Sequence, residues 1–115
     1  MARPAFLTIK RLICRSTNDL TGSDDVFGVM GPVRFQIGSF TAGNDFNLDI
    51  NQVVPAGEVF LRIVESDLTG DDDIGLIDLT EVMDFDRTRN VQGGGANYDI
   101  TFFVQSVSDE EPIDP

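Results

Sequence analysis

Apolar residues recur at every second position along most of the chain, and β-branched and aromatic types fill the runs. That is the spacing of strands with one buried face. It predicts strands near residues 5–14 (Phe6 to Cys14), 26–38 (Val26 to Gly38, broken at Gly31-Pro32), 45–51 (Phe46, Leu48 and Ile50 on one face) and 58–65. A short strand from Ile74 to Leu79 and a long one from Tyr98 to Gln105 follow. Between them, Thr80 to Phe85 reads as one helical turn or another strand, and Gly93-Gly94-Gly95 as a flexible turn. Six to eight short strands, separated by Gly, Asn and Asp clusters about every 8–12 residues, describe an all-β sandwich or barrel. Phe27, Phe35, Phe40, Phe46, Phe60, Phe102 and Phe103 fall within these runs and are expected in or near the core. Cys14 is expected to be a buried thiol.

The 115 residues form one domain over 1–107, and the acidic, proline-containing tail 108–115 is expected to be disordered. A single cysteine excludes an internal disulfide and a cysteine-based zinc site. The absence of histidine excludes His-assisted serine or cysteine hydrolysis and a His-ligated metal site. No apolar run approaches the roughly 18 residues of a membrane span. The start, Met1 to Ile9, lacks the apolar stretch of a secretory signal, so the expectation leans towards the cytoplasm.

Charge changes the picture most. The net charge is −12, and 15 of the 20 acids are Asp, a residue of turns and loops. A chain this acidic is repelled by nucleic-acid phosphates. The acids also repeat: Asp19-Leu20-Thr21-Gly22-Ser23-Asp24-Asp25 matches Asp67-Leu68-Thr69-Gly70-Asp71-Asp72-Asp73 at six of seven positions, each copy lying between two expected strands. Like charges held 4–5 Å apart repel by about 1 kcal/mol even in water. Solvation of ordinary acidic turns accounts for one such loop; two in a small domain point towards calcium, which takes six to eight oxygens from carboxylates and carbonyls. At one end of a sandwich, Asp19, Asp25, Glu65, Asp67 and Asp73 would converge. An EF-hand does not fit, because a loop starting at Asp67 has Asp72 where Gly is needed and Asp78 where Glu is needed. Magnesium uses fewer protein ligands. A glycosidase acid–base pair lacks a sugar platform, since Trp is absent and Tyr98 is the only Tyr.

With these residues in place, the sequence resembles a C2 domain, the calcium-binding and often phospholipid-binding β-sandwich. Asp19 to Phe27 resembles that family's first loop, Asp-x-x-Gly-x-Ser-Asp-Pro-Tyr, with Val26 in place of the proline. Glu65-Ser66-Asp67 followed by Asp71-Asp72-Asp73-Ile74-Gly75 resembles the later loop, with Glu65 in place of an Asp. The resemblance implies a two-sheet antiparallel sandwich of seven to eight strands that is not an enzyme. It implies Asp19, Asp25, Glu65, Asp67 and Asp73 as side-chain ligands to one to three calcium ions, with Asp72 a substitute and carbonyls near Leu20, Asp24 and Leu68 completing the shell. The implied partner is an anionic phospholipid or a protein, with Leu20 and Leu68 at the loop tips. The basic strand patch of many members is not visible, as Lys10 is the sole lysine and Arg34 and Arg62 are isolated.

Overall fold

The computed structural model describes residues 5–17, 22–67, 70–80 and 85–106. Asp19, Leu20, Leu68 and the tail 108–115 lie outside the described residues. Eight strands run in order: β1 (Ala5–Ser16), β2 (Asp24–Met30), β3 (Val33–Phe40), β4 (Asp45–Val54), β5 (Phe60–Asp67), β6 (Gly70–Asp78), β7 (Arg87–Gly93) and β8 (Ala96–Ser106). They form two four-stranded sheets, β4-β1-β8-β7 and β3-β2-β5-β6, antiparallel throughout.

The inner faces supply the core. Leu7, Ile9, Leu12 and Cys14 of β1 pack with Tyr98, Ile100, Phe102 and Val104 of β8, and across the sandwich lie Val26 and Met30 of β2, Leu61 and Ile63 of β5, and Ile74 and Ile77 of β6. Each large side chain so buried contributes roughly 1.5–3 kcal/mol relative to exposure. The step from Ile9 to Leu12 breaks strict alternation. A β-bulge between Ile9 and Arg11, present against both β4 and β8, absorbs the extra residue and keeps both leucines inward.

The run expected over 26–38 with a break at Gly31-Pro32 is a hairpin, β2 and β3, turning at Gly31 with φ of 56°. The expected strands at 58–65 and 74–79 meet as the β5–β6 hairpin, in which β6 starts earlier, at Gly70. β7 was not expected as a strand: Arg87-Thr88-Arg89-Asn90 has no apolar alternation, because this edge strand buries only Val91 deeply. The Gly-rich stretch closes its hairpin with β8, Gly93 ending β7. A Cβ at Gly93 would lie 2.7 Å from the Ile74 carbonyl oxygen, so the glycine lets β7 approach β6 of the other sheet. Phe35, Phe40 and Phe102 are buried as expected, whereas Phe46 and Phe60 are exposed.

Candidate metal centre

The described residues of the two acidic copies lie at the same end of the sandwich but at different positions in it. The first leads from β1 in one sheet to β2 in the other; the second spans the β5–β6 hairpin, where Asp67 pairs with Gly70. In a strand, successive side chains point to opposite faces. Val26 is buried on the inner face of β2, so Asp24 also points inward and Asp25 outward. Asp24 is fully buried, whereas Asp25 is exposed and accepts a hydrogen bond from the Ser39 hydroxyl.

On β5 the inner face continues to Glu65, which pairs with Val26 on one side and Asp72 on the other. A register shift settles the parity of β6. Ile63 pairs with Gly75 and Val64 with Asp73, leaving Ile74 as an extra residue that faces the core together with Ile77. Asp72 therefore joins Glu65 on the inner face, and Asp71 and Asp73 take the outer face. There the outer acids are held by cations. Asp71 receives two hydrogen bonds from Arg34, whose guanidinium lies 4.3 Å from the Phe27 ring centroid, and Asp73 receives one from Arg62 at 3.0 Å. Arg34, then the Ser66 hydrogen bond, holds the Asp71 carboxyl below its ordinary range.

The inner acids assemble differently. Carboxylate oxygens of Glu65, Asp67 and Asp72 lie within 4.8 Å of one another. Glu65 is only 4% exposed, and its Oε1 is buried without a hydrogen-bond partner. Burial first, then the charges of Asp67, Asp24, Asp72 and Asp25, push its carboxyl up to about 7. A buried, unsatisfied carboxylate oxygen is costly, and a hard cation is the partner that three converging carboxylates fit. Of the residues expected as ligands, Glu65, Asp67 and Asp72 come together; Asp25 and Asp73 face outward, and Asp19 lies outside the described residues.

Sequence reasoning gave Asp24 only a carbonyl role. Its side chain instead faces inward and accepts a hydrogen bond from the Tyr98 hydroxyl at 2.7 Å. The signal lay in the alternation itself, because counting back two from Val26 reaches Asp24.

No protein-family model and no curated protein matches the sequence. Solved structures do. A C2 domain structure superposes with a TM-score of 0.51 at 17% identity, covering 90% of this chain and 98% of that one. The fold is C2-like. Human GIVD cytosolic phospholipase A2 aligns at TM-score 0.53 and 17% identity over 93% of this chain. The same enzyme in complex with methyl gamma-linolenyl fluorophosphonate and terbium chloride aligns at 0.51 and 16% over 94%. The C2-like chain spans 17–18% of those phospholipase chains. In this C2-like sandwich three carboxylates, Glu65, Asp67 and Asp72, lie together, and no helix among the described residues is long and apolar enough to cross a membrane.

Proposed function

We propose that the protein is a calcium-binding module, without catalytic activity of its own, whose acidic end attaches to an anionic phospholipid surface when the ion is bound. The observation that carries this reading is Glu65, a buried carboxylate with an unpartnered oxygen and two further carboxylates within 4.8 Å. Glu65, Asp67 and Asp72 would hold the ion, with Asp24 bordering them on the same face and Asp19 of the first copy as a further candidate. Calcium supplies positive charge to an end that otherwise repels anions, and it offers open coordination positions to phosphate oxygens. The inner-face strands hold the carboxylates in register, so little ordering is needed on binding.

A structural role for the ion is the second reading, and the depth of Glu65 favours it. The acid lies within the sandwich, so neutralising it would tie β2, β5 and β6 together even with no partner present.

Titration calorimetry and thermal melting with calcium test the shared claim. Binding heat and a higher melting temperature are expected; neither effect at millimolar calcium would refute it. Sedimentation with phosphatidylserine vesicles, with calcium or with chelator, then separates the readings. Calcium-dependent pelleting supports attachment to lipid, stabilisation without pelleting supports the structural role, and calcium-dependent capture of a protein without pelleting assigns the end to a protein partner.

A further inference from the structure

Tyr98 is the chain's only tyrosine, and there is no tryptophan. It lies on β8, fully buried, in the sheet opposite β2, so its 2.7 Å hydrogen bond to Asp24 Oδ2 crosses the interior from one sheet to the other. Its ring is fixed independently of that bond. It packs edge-on against Phe40, with centroids 6.1 Å apart, and Phe40 pairs with Asp24 across β2 and β3. Phenol, ring partner and carboxylate thus form a closed set, each holding the other two.

We infer that Tyr98 is a positioning residue for the acidic end: its hydroxyl engages one oxygen of Asp24 and so fixes the buried carboxylate on the inner face beside Glu65, Asp67 and Asp72. The inference rests on the cation-binding reading above. Asp24 precedes Val26 by two, and Val26 pairs with Glu65, so the Asp24 side chain is the next inner-face group towards the mouth of the sandwich. A carboxylate with 0% exposure needs a hydrogen-bond donor to offset its lost hydration. A donor from the opposite sheet provides it without occupying the site, and burial together with the bond to Asp24 keeps the phenol protonated, its pKa above the ordinary tyrosine range. The buried Cys14 thiol, which donates to the Ser16 carbonyl oxygen at 3.6 Å, also lies within hydrogen-bonding reach of the Tyr98 hydroxyl. Tyr98 does not itself reach the ion; it acts through Asp24. Asp24 borders the ligands rather than joining them, and outer groups that fix the surroundings of a metal site typically set its affinity by about 10–100-fold.

The test uses the full chain and Tyr98→Phe, which keeps the ring and removes the donor. Calorimetric titration with calcium is expected to give about a tenfold weaker Kd for the variant. A purely structural hydrogen bond would lower the melting temperature of the chelated and calcium-saturated proteins equally and leave the Kd unchanged. A second readout needs no variant: as the sole tyrosine, Tyr98 should change its near-UV circular dichroism during calcium titration of the wild type, with the calorimetric Kd. Equal Kd values for the two proteins, or a tyrosine signal that stays flat while calorimetry reaches saturation, would overturn the role of Tyr98. A wild type with no calcium isotherm would overturn the cation reading, a different result from the other two. If Tyr98→Phe fails to fold, the wild-type tyrosine signal decides.

Discussion

Glu65 carries a carboxyl that the fold keeps dry and surrounds with like charge, so its protonation is linked to stability. Its pKa is about 7 in the folded protein against an ordinary 4.5, meaning that the folded state holds the proton more tightly. In chelator, the stability this provides is complete below pH 4.5 and is lost as pH rises through 7. The melting temperature of the chelated protein should therefore fall between pH 5 and pH 8; a flat or rising profile would contradict the environment described for Glu65. Glu65→Gln gives a sharper test because two effects oppose. At pH 7.5 without calcium the variant should melt higher than wild type by several degrees, since about 1 kcal/mol shifts a domain of this size by roughly 4–8 °C. With calcium it should gain less stabilisation than wild type, because a charged ligand is gone. A variant less stable than wild type in chelator would show that Glu65 is not a buried charge under repulsion. Glu65 was legible in the sequence as an acid ending an apolar strand. Its neighbour in space, Asp24, was not, because the family frame drew attention to Asp25 one position away.

At the scale of the element, one bulged residue decides which acids meet. Alternation counted back from Ile77 puts Asp73 on the inner face; the extra residue Ile74 reverses this and puts Asp72 there. The choice between Asp72 and Asp73, open at the level of sequence, thus depends on pairing register, which no local pattern encodes. Asp72→Asn should weaken calcium binding by at least tenfold, and Asp73→Asn, which only loosens an exposed pair with Arg62, by less than threefold. Calorimetry on the two variants checks this, and the reverse order would mean that the hairpin pairs in another register. Elsewhere the sequence was a fair guide to strands. β1, β4, β5 and β8 appear where the period of two put them, and the Gly31-Pro32 break became the β2–β3 turn. β7 was missed for a physical reason: an edge strand beside a close glycine contact needs few apolar residues, so the pattern that marks strands is absent.

At the scale of the whole molecule, the charges of the described residues have a definite distribution. Lys10, Arg11, Arg15, Arg34 and Arg62 are each paired with an aspartate, Asp86, Asp45, Asp99, Asp71 and Asp73 respectively. At the acidic end the carboxylate oxygens of Glu65, Asp67 and Asp72 lie within 4.8 Å of one another. Self-repulsion there is screened by salt. The chelated protein is therefore expected to gain several degrees in melting temperature between 10 mM and 500 mM sodium chloride, and the calcium-saturated protein to gain distinctly less; equal gains would place the repulsion elsewhere. The same arrangement leaves a local negative field beside the β5–β6 hairpin. Near an anionic surface that field turns the hairpin end away while it is bare, and a cation held between Glu65, Asp67 and Asp72 would remove the repulsion there. Loading would therefore change which way this end faces as well as how strongly it is attracted.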